Sequence, residues 1–220
     1  MKTELFISWR YLVTKRKEKF ISLISVISIL GVAIGVAALI IVIAVMTGFD
    51  QDLRDKIVGN YSHITLSSYK PIDNPEFENI LKKIITNPQI KGISPYIQGQ
   101  VLIKHGNRYF AVGLKGIDPN TETRVTKIKQ YIIAGSVNNL GEDGVIIGKE
   151  LALNFGLELD SHFLIYSPLG KQYKLRVVGI FTSGMYDYDM NLVFSGLKLA
   201  QDILGLPKQR SAIAIKLDNL

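Results

Sequence analysis

The chain has 220 residues, a formal charge of +7 and no cysteine. The missing cysteine excludes disulfides and thiolate chemistry, and His63, His105 and His162 are too scattered to form a metal-ligand pattern. Nor does the charge point to nucleic acid. Lys2, Arg10, Lys15, Arg16, Lys17 and Lys19 against Glu4 and Glu18 put about +4 ahead of one long charge-free run, and about +3 is spread over all that follows.

In chain order, residues 1–19 predict a cytoplasmic or interfacial segment. Phe6, Trp9, Tyr11 and Leu12 interleave with Arg10 and the later lysines, so rings can sit at headgroup depth with cationic ends in water. From Phe20 to Phe49 no side chain is charged. The densest part, Val26 to Met46, is about 20 residues, enough at 1.5 Å per residue to cross about 30 Å of hydrocarbon. A buried core helix runs shorter than this, and a signal peptide has an apolar region of only about 7 to 15 residues. On the far side Asp50, Asp52 and Asp55 outweigh Arg54 and Lys56. The positive-inside rule therefore predicts 20–49 as a transmembrane helix, with the N-terminus in the cytoplasm and residues 50–220 outside.

Within the span, Gly31 and Gly35 form a GxxxG flanked by Ala33, Ala37 and Ala38, with Ser22, Ser25 and Ser28 on the cytoplasmic half. Small residues of this kind let another helix approach closely, so the two glycines are candidate helix-packing residues. Leu39, Val42, Ile43, Met46 and Phe49 cluster toward the outer end. Read from residue type alone, that bulky face meets lipid or another helix before it meets a ligand.

The remaining chain reads as mixed α and β. Tyr61 to Ser67 alternates like a strand. Asn74 and Pro75 open a helix whose apolar stripe is Phe77, Ile80, Leu81, Ile84 and Ile85, closed by Asn87 and Pro88. Val101 to Lys104 and Tyr109 to Leu114 form a hairpin across His105 to Arg108, with Gly106 and Asn107 supplying positive φ. Thr121 to Gly144 reads mainly as loop. Strands follow at Val145 to Ile147, Phe163 to Tyr166 and Tyr173 to Ile180, with a helix from Lys149 to Phe155 stopped by Gly156. Ser167 to Gly170 is a turn, a helix around Leu197 to Leu204 ends at Gly205, and Ala212 to Leu217 is a closing strand. No nucleophile motif, P-loop or HExxH occurs. Asp187 and Asp189, one residue apart on extended chain, read as a polar turn or subunit contact rather than a metal or glycosidase pair. The fold class is α+β: one N-terminal transmembrane helix, then a mixed α/β domain. Nothing assembles an enzyme site.

The segment SVISILGVAIGVAALIIVIAVMTGF, the following DQDLRDKIVGNYSHITL, and the downstream LKGIDP, GVIIGKELALNFGL, LRVVGIF and GMYDYDMNLVFSGLKLAQDILGL resemble lipoprotein-releasing permeases of the LolC/LolE family, in that order and spacing. The likeness covers essentially the whole chain. It implies a domain of the MacB-like periplasmic core type at 50–220, in the bacterial inner membrane with the main domain periplasmic. It also implies a non-catalytic permease subunit that works with a second permease, a cytoplasmic ABC ATPase dimer that uses the ATP, membrane lipid, a lipoprotein substrate and a periplasmic lipoprotein carrier. No cofactor is expected on this chain and no nucleic-acid partner. In such systems the first membrane helices bound the cavity for acyl chains, which makes Met46 the first candidate for acyl contact, with Leu39, Val42, Ile43 and Phe49 beside it. A flexible thioether among branched side chains suits several chain shapes.

Three departures from the family pattern stand out. The chain ends at Leu220 without a second long apolar run, so it is expected to be an N-terminal fragment, with the domain truncated at its C-terminal end. The tip at Ser167 to Lys171 is short where the carrier-gripping subunit has an extended hook. Asp160 replaces the usual glycine, a position that aspartate tolerates in a left-handed turn. Two other readings remain: a MacB-like mechanotransmission or efflux permease, and a single-span membrane-anchored binding or scaffold domain.

Overall fold

The computed structural model describes residues 2–13 and 19–218. They fall into two compact units that divide between Leu53 and Arg54. The first holds helix α1 (Lys2–Val13) and most of α2 (Lys19–Asn60). Phe6 is exposed on α1. The side chains of Trp9, Tyr11, Leu12 and Ser22, and residues 14–18 with Lys15, Arg16 and Lys17, lie outside the described residues.

Helix α2 does not stop at Phe49. Leu53 and Ile57 keep apolar residues at i, i+4 spacing through the charged stretch. The helix closes where Asn60 donates its Nδ2 to the Lys56 carbonyl at 2.9 Å and the Tyr61 amide donates to Ile57 at 3.0 Å. The strand expected from Tyr61 therefore starts three residues later, as β1 (Ile64–Ile72). Local alternation at 61–63 lost to helical hydrogen bonds already in place.

The second unit is built on a nine-stranded mixed sheet in the order β1-β9-β2-β3-β8-β5-β7-β4, with β6 pairing β2 and β7. The strands are β2 (Ile90–His105), β3 (Arg108–Ile117), β4 (Ile132–Gly135), β5 (Gly144–Gly148), β6 (His162–Tyr166), β7 (Gln172–Phe181), β8 (Leu192–Gly196) and β9 (Arg210–Leu217). The long β2 changes partner along its length: residues 90–96 pair β9 and residues 97–105 pair β3. The β2–β3 turn is as read, but of its two central residues only Gly106 takes positive φ, at 60°.

Helices cover both faces. Leu151, Ala152 and Phe155 of α6 (Lys149–Phe155) and Ala200, Ile203 and Leu204 of α8 (Leu197–Leu204) bury against Ile103, Leu114 and Ile147 in the main core. Both helices end on a left-handed glycine, Gly156 (φ 62°) and Gly205 (φ 69°), as their sequence signals require. Helix α3 (Asn74–Ile84) lays Phe77, Ile80, Leu81 and Ile84 on Ile72, Ile213 and Ile215. Its cap is Asp73, which accepts from the Glu76 amide at 2.9 Å, and Ile85 falls outside the stripe because the helix has ended.

Strand β2 begins at Ile90, well ahead of the expected Val101, because residues 90–96 pair with β9, and two further stretches correct the reading from sequence. Thr121 to Gly144 is not loop but α4 (Pro119–Val125), α5 (Ile128–Tyr131), β4 and a 3-10 turn at Val137–Asn139. These pieces are too short to show a period; Val125 of α4 buries beside Gly92 of β2, and Ile128 and Val137 find a second core with Phe181 and Phe194. The MYDYDMN stretch is not extended: it holds α7 (Tyr186–Asn191), followed directly by β8, neither of which local pattern announced.

Candidate functional site

On α2 the residues read as an acyl-contact face, Leu39, Val42, Ile43, Met46 and Phe49, are all more than half exposed. At 100° per residue they fall within one arc of the helix. Gly31 and Gly35 lie on that same arc, in the series 31, 35, 39, 42, 46, 49, so the small and bulky positions are successive parts of one stripe rather than two sides. A methyl group added at either glycine would meet no atom of the described chain within 4 Å. The helix segment Leu23–Arg54 is long and apolar enough to cross a membrane and carries no burial within the described structure. Exposure of this extent over a continuous apolar surface suits hydrocarbon, not water.

The second unit contains a concavity of about 570 Å3. Asn60, Tyr61 and Ser62 form one wall, Tyr96, Gln98 and Lys115 rise from the sheet as its floor, and Tyr186, Asp187, Tyr188 and Asn191 of α7 close the far side. Gln98 and Lys115 are cross-strand partners, which is how β2 and β3 bring them side by side. Tyr188 is wedged among rings: Tyr61 edge-on at 5.6 Å, Phe181 edge-on at 6.0 Å and Phe194 at 6.5 Å. Burial pushes the Tyr188 phenol well above its ordinary range, and burial raises Tyr96 against the opposing effect of its hydrogen bond to Thr65. Both therefore stay neutral at physiological pH.

Beneath the floor lies a buried ion pair. Lys115 Nζ donates to Glu122 Oε1 at 2.8 Å and sits over the Tyr96 ring at 4.6 Å. Glu122, on α4, is fully buried, and its other oxygen accepts from Ser94 Oγ at 2.8 Å. Thr126 Oγ1 adds a third donor at 3.4 Å. The carboxylate is therefore hydrogen-bonded at both oxygens and the ammonium is held between it and the Tyr96 ring, which is what lets two charges remain in an apolar sheet. Neither residue stood out in sequence: alternation in the strand VGLKGI puts Lys115 on the face opposite to Val112 and Leu114, and only the tertiary structure covers that face.

Asp187 and Asp189 are not a pair. On α7 their side chains diverge: Asp187 is exposed, and buried Asp189 accepts from Ser183 N (2.9 Å), Ser183 Oγ (2.6 Å) and Thr182 Oγ1 (3.0 Å). Asp189 thus staples the β7–α7 loop and faces no ligand. No group of three His, Asp or Glu among the described residues could hold a metal. Of the histidines, His63 precedes β1 rather than lying in it and accepts from the Leu217 amide through Nδ1 at 3.3 Å. His105 ends β2 and His162 begins β6. Asp160 does adopt the left-handed conformation, at φ 63°, and its carboxylate accepts from Arg176 Nη1 at 3.0 Å. The Ser167–Lys171 tip is a tight turn, with Ser167 Oγ accepting from the amides of Leu169 and Lys171 at 3.2 Å.

Compared with known proteins, residues 25–219 match the family model of the MacB-like periplasmic core domain. The lipoprotein-releasing system transmembrane protein LolC of Xylella fastidiosa is 34% identical over 209 residues, covering 90% of this chain and 50% of that protein. LolE of Haemophilus influenzae, carrying the same system name, is 30% identical over 234 residues, covering 100% and 56%. The chain thus spans about half the length of these relatives. Among solved structures, the periplasmic region of MacB from Actinobacillus actinomycetemcomitans superposes with a TM-score of 0.51 at 11% identity, covering 76% of this chain and 79% of that one, which speaks to fold alone.

Proposed function

The chain belongs to the MacB-like periplasmic core domain family and to its LolC/LolE members, and from that premise we propose that it serves as a permease subunit of an ABC transporter that releases lipoproteins from the inner membrane. The observation that carries this reading is the likeness to LolC and LolE, which covers 90% of the chain for the first and 100% for the second, apolar helix and following domain together. The N-terminus is cytoplasmic and the domain periplasmic, following the charge asymmetry around the span. ATP is bound and hydrolysed on a separate ATPase subunit, and a second permease completes the membrane part.

The stripe of α2 is the proposed acyl-contact surface. Gly31 and Gly35 form a narrow section where another helix comes close, and the same arc widens outward through Leu39, Val42 and Met46 into side chains that can pack against lipid tails. The floor and walls of the domain cavity take no part in this step.

The test is site-specific photocrosslinking in the native protein, assembled with its partner subunits in membranes. Probes at Met46 and Val42 are expected to capture lipoprotein, with capture falling when ATP is supplied. Labelling confined to neighbouring helices would overturn the acyl-contact assignment. Failure of the assembled complex to release lipoprotein would overturn the function.

A further inference from the structure

The cavity of the second unit is not used by the proposed acyl-contact step, and its chemistry narrows what it can hold. At about 570 Å3 it lies within the size range of small-ligand sites. Its one wall cation, Lys115, is engaged by Glu122 at 2.8 Å and by the Tyr96 ring. Glu122 is sealed away from the cavity. The charge left at the rim is the exposed carboxylate of Asp187. A phosphate or carboxylate ligand would find no unmet positive charge there, which sets aside anionic headgroups and nucleotides.

What the walls offer is neutral hydrogen bonding beside flat rings. Exposed Asn191 commits its Nδ2 to the Asp187 carbonyl, leaving its Oδ1 as an acceptor. Gln98 is exposed on the floor with both its donors and its acceptor presented. Tyr61 and Tyr186 stand 53% and 61% exposed at the mouth, broad amphipathic rings that lose little conformational entropy on contact. Exposed donors and acceptors beside flat rings match the N–H and C=O groups of a polypeptide backbone in extended form, without demanding one side-chain sequence.

We propose that this cavity seats an extended, uncharged or basic stretch of the cargo's polypeptide, an assignment that rests on the lipoprotein-release reading above. It gives the permease a second hold on its cargo, on the protein part rather than the lipid.

The experiment places photocrosslinking probes singly at Gln98, Tyr186 and Met46 of the native protein within its complex, with purified lipoprotein as cargo. The expected result is capture of the cargo's polypeptide from Gln98 and Tyr186, confirmed by peptide mapping. Gln98→Leu should lower capture from Tyr186, and Tyr186→Ala capture from Gln98, at least fivefold, with capture from Met46 unchanged. Capture from the cavity of lipid, of a partner subunit or of another stretch of this same chain overturns the proposal. Cargo captured at Met46 but not at the two cavity positions overturns it while leaving the release function standing. A complex that releases no lipoprotein overturns both.

Discussion

Ile40 on α2 is 61% exposed and Ile147 on β5 is fully buried, although the two side chains are identical. The first sits in a run where apolar residues occupy every side of the helix, so no rotation can hide them and the surroundings must be apolar. The second sits in a five-residue strand, buried throughout, that is meaningless alone and stable only between β7 and β8. The comparison teaches that the helix is specified by composition and its solvent, whereas the domain is specified by pairings between residues far apart in sequence. Its polar interior makes the same point: Lys115 and Glu122 are tolerable because Ser94, from a third element, donates to the carboxylate oxygen that Lys115 leaves open.

The largest effect should come from breaking that interior. Glu122→Ala leaves Lys115 largely buried without its partner and should cost about 3–5 kcal/mol, read from the denaturant midpoint by near-ultraviolet circular dichroism on the detergent-solubilised protein. A loss under about 1 kcal/mol would mean that water in the cavity satisfies Lys115.

The same substitution made in both regions sharpens the contrast. At Gly148 an added Cβ would run into the backbone of Asp189, where β5 passes under α7, so Gly148→Ala should destabilise the domain by about 3 kcal/mol or more. Gly31→Ala meets nothing and should move the same midpoint by less than about 0.5 kcal/mol, with its effect confined to association of α2 with another membrane helix. Equal shifts from the two variants would break the comparison.

A smaller effect is expected at Asp160. Asp160→Val places a β-branched residue at φ 63° and should cost about 1–2 kcal/mol. Asp160→Gly removes the strain together with the exposed Arg176 contact, and should shift stability by less than about 1 kcal/mol in the same denaturation assay. A valine variant as stable as the glycine one would show that backbone conformation is not what selects the residue there.

Much of the fold was legible locally. Gly156 and Gly205 end their helices where their positions said, the β2–β3 turn falls where Gly106 and Asn107 mark it, and the α3 stripe buries as its period requires. The misses share a cause. The α4 to β4 pieces, α7 and β8 are each shorter than two helical turns or six residues, so no period can build up in them, and packing on distant elements decides their conformation: α4 on β2, the others in the core around Phe181 and Tyr188. The α2 stripe could be read from spacing. The cavity could not, because its walls come from residues 60–62, 96–98, 115 and 186–192.

By itself, then, the sequence determined a charge-free helix with a charge asymmetry across it, the kinships of the chain, the ends of α6 and α8 and the β2–β3 turn, because composition, charge and turn chemistry act over a few residues. Only the tertiary structure decided that Lys115 meets Glu122, that Asp187 and Asp189 part company, and that four tyrosines converge around Gln98. Each of those depends on β2, β3 and α7 being brought together across long stretches of chain, and no local interaction carries that information.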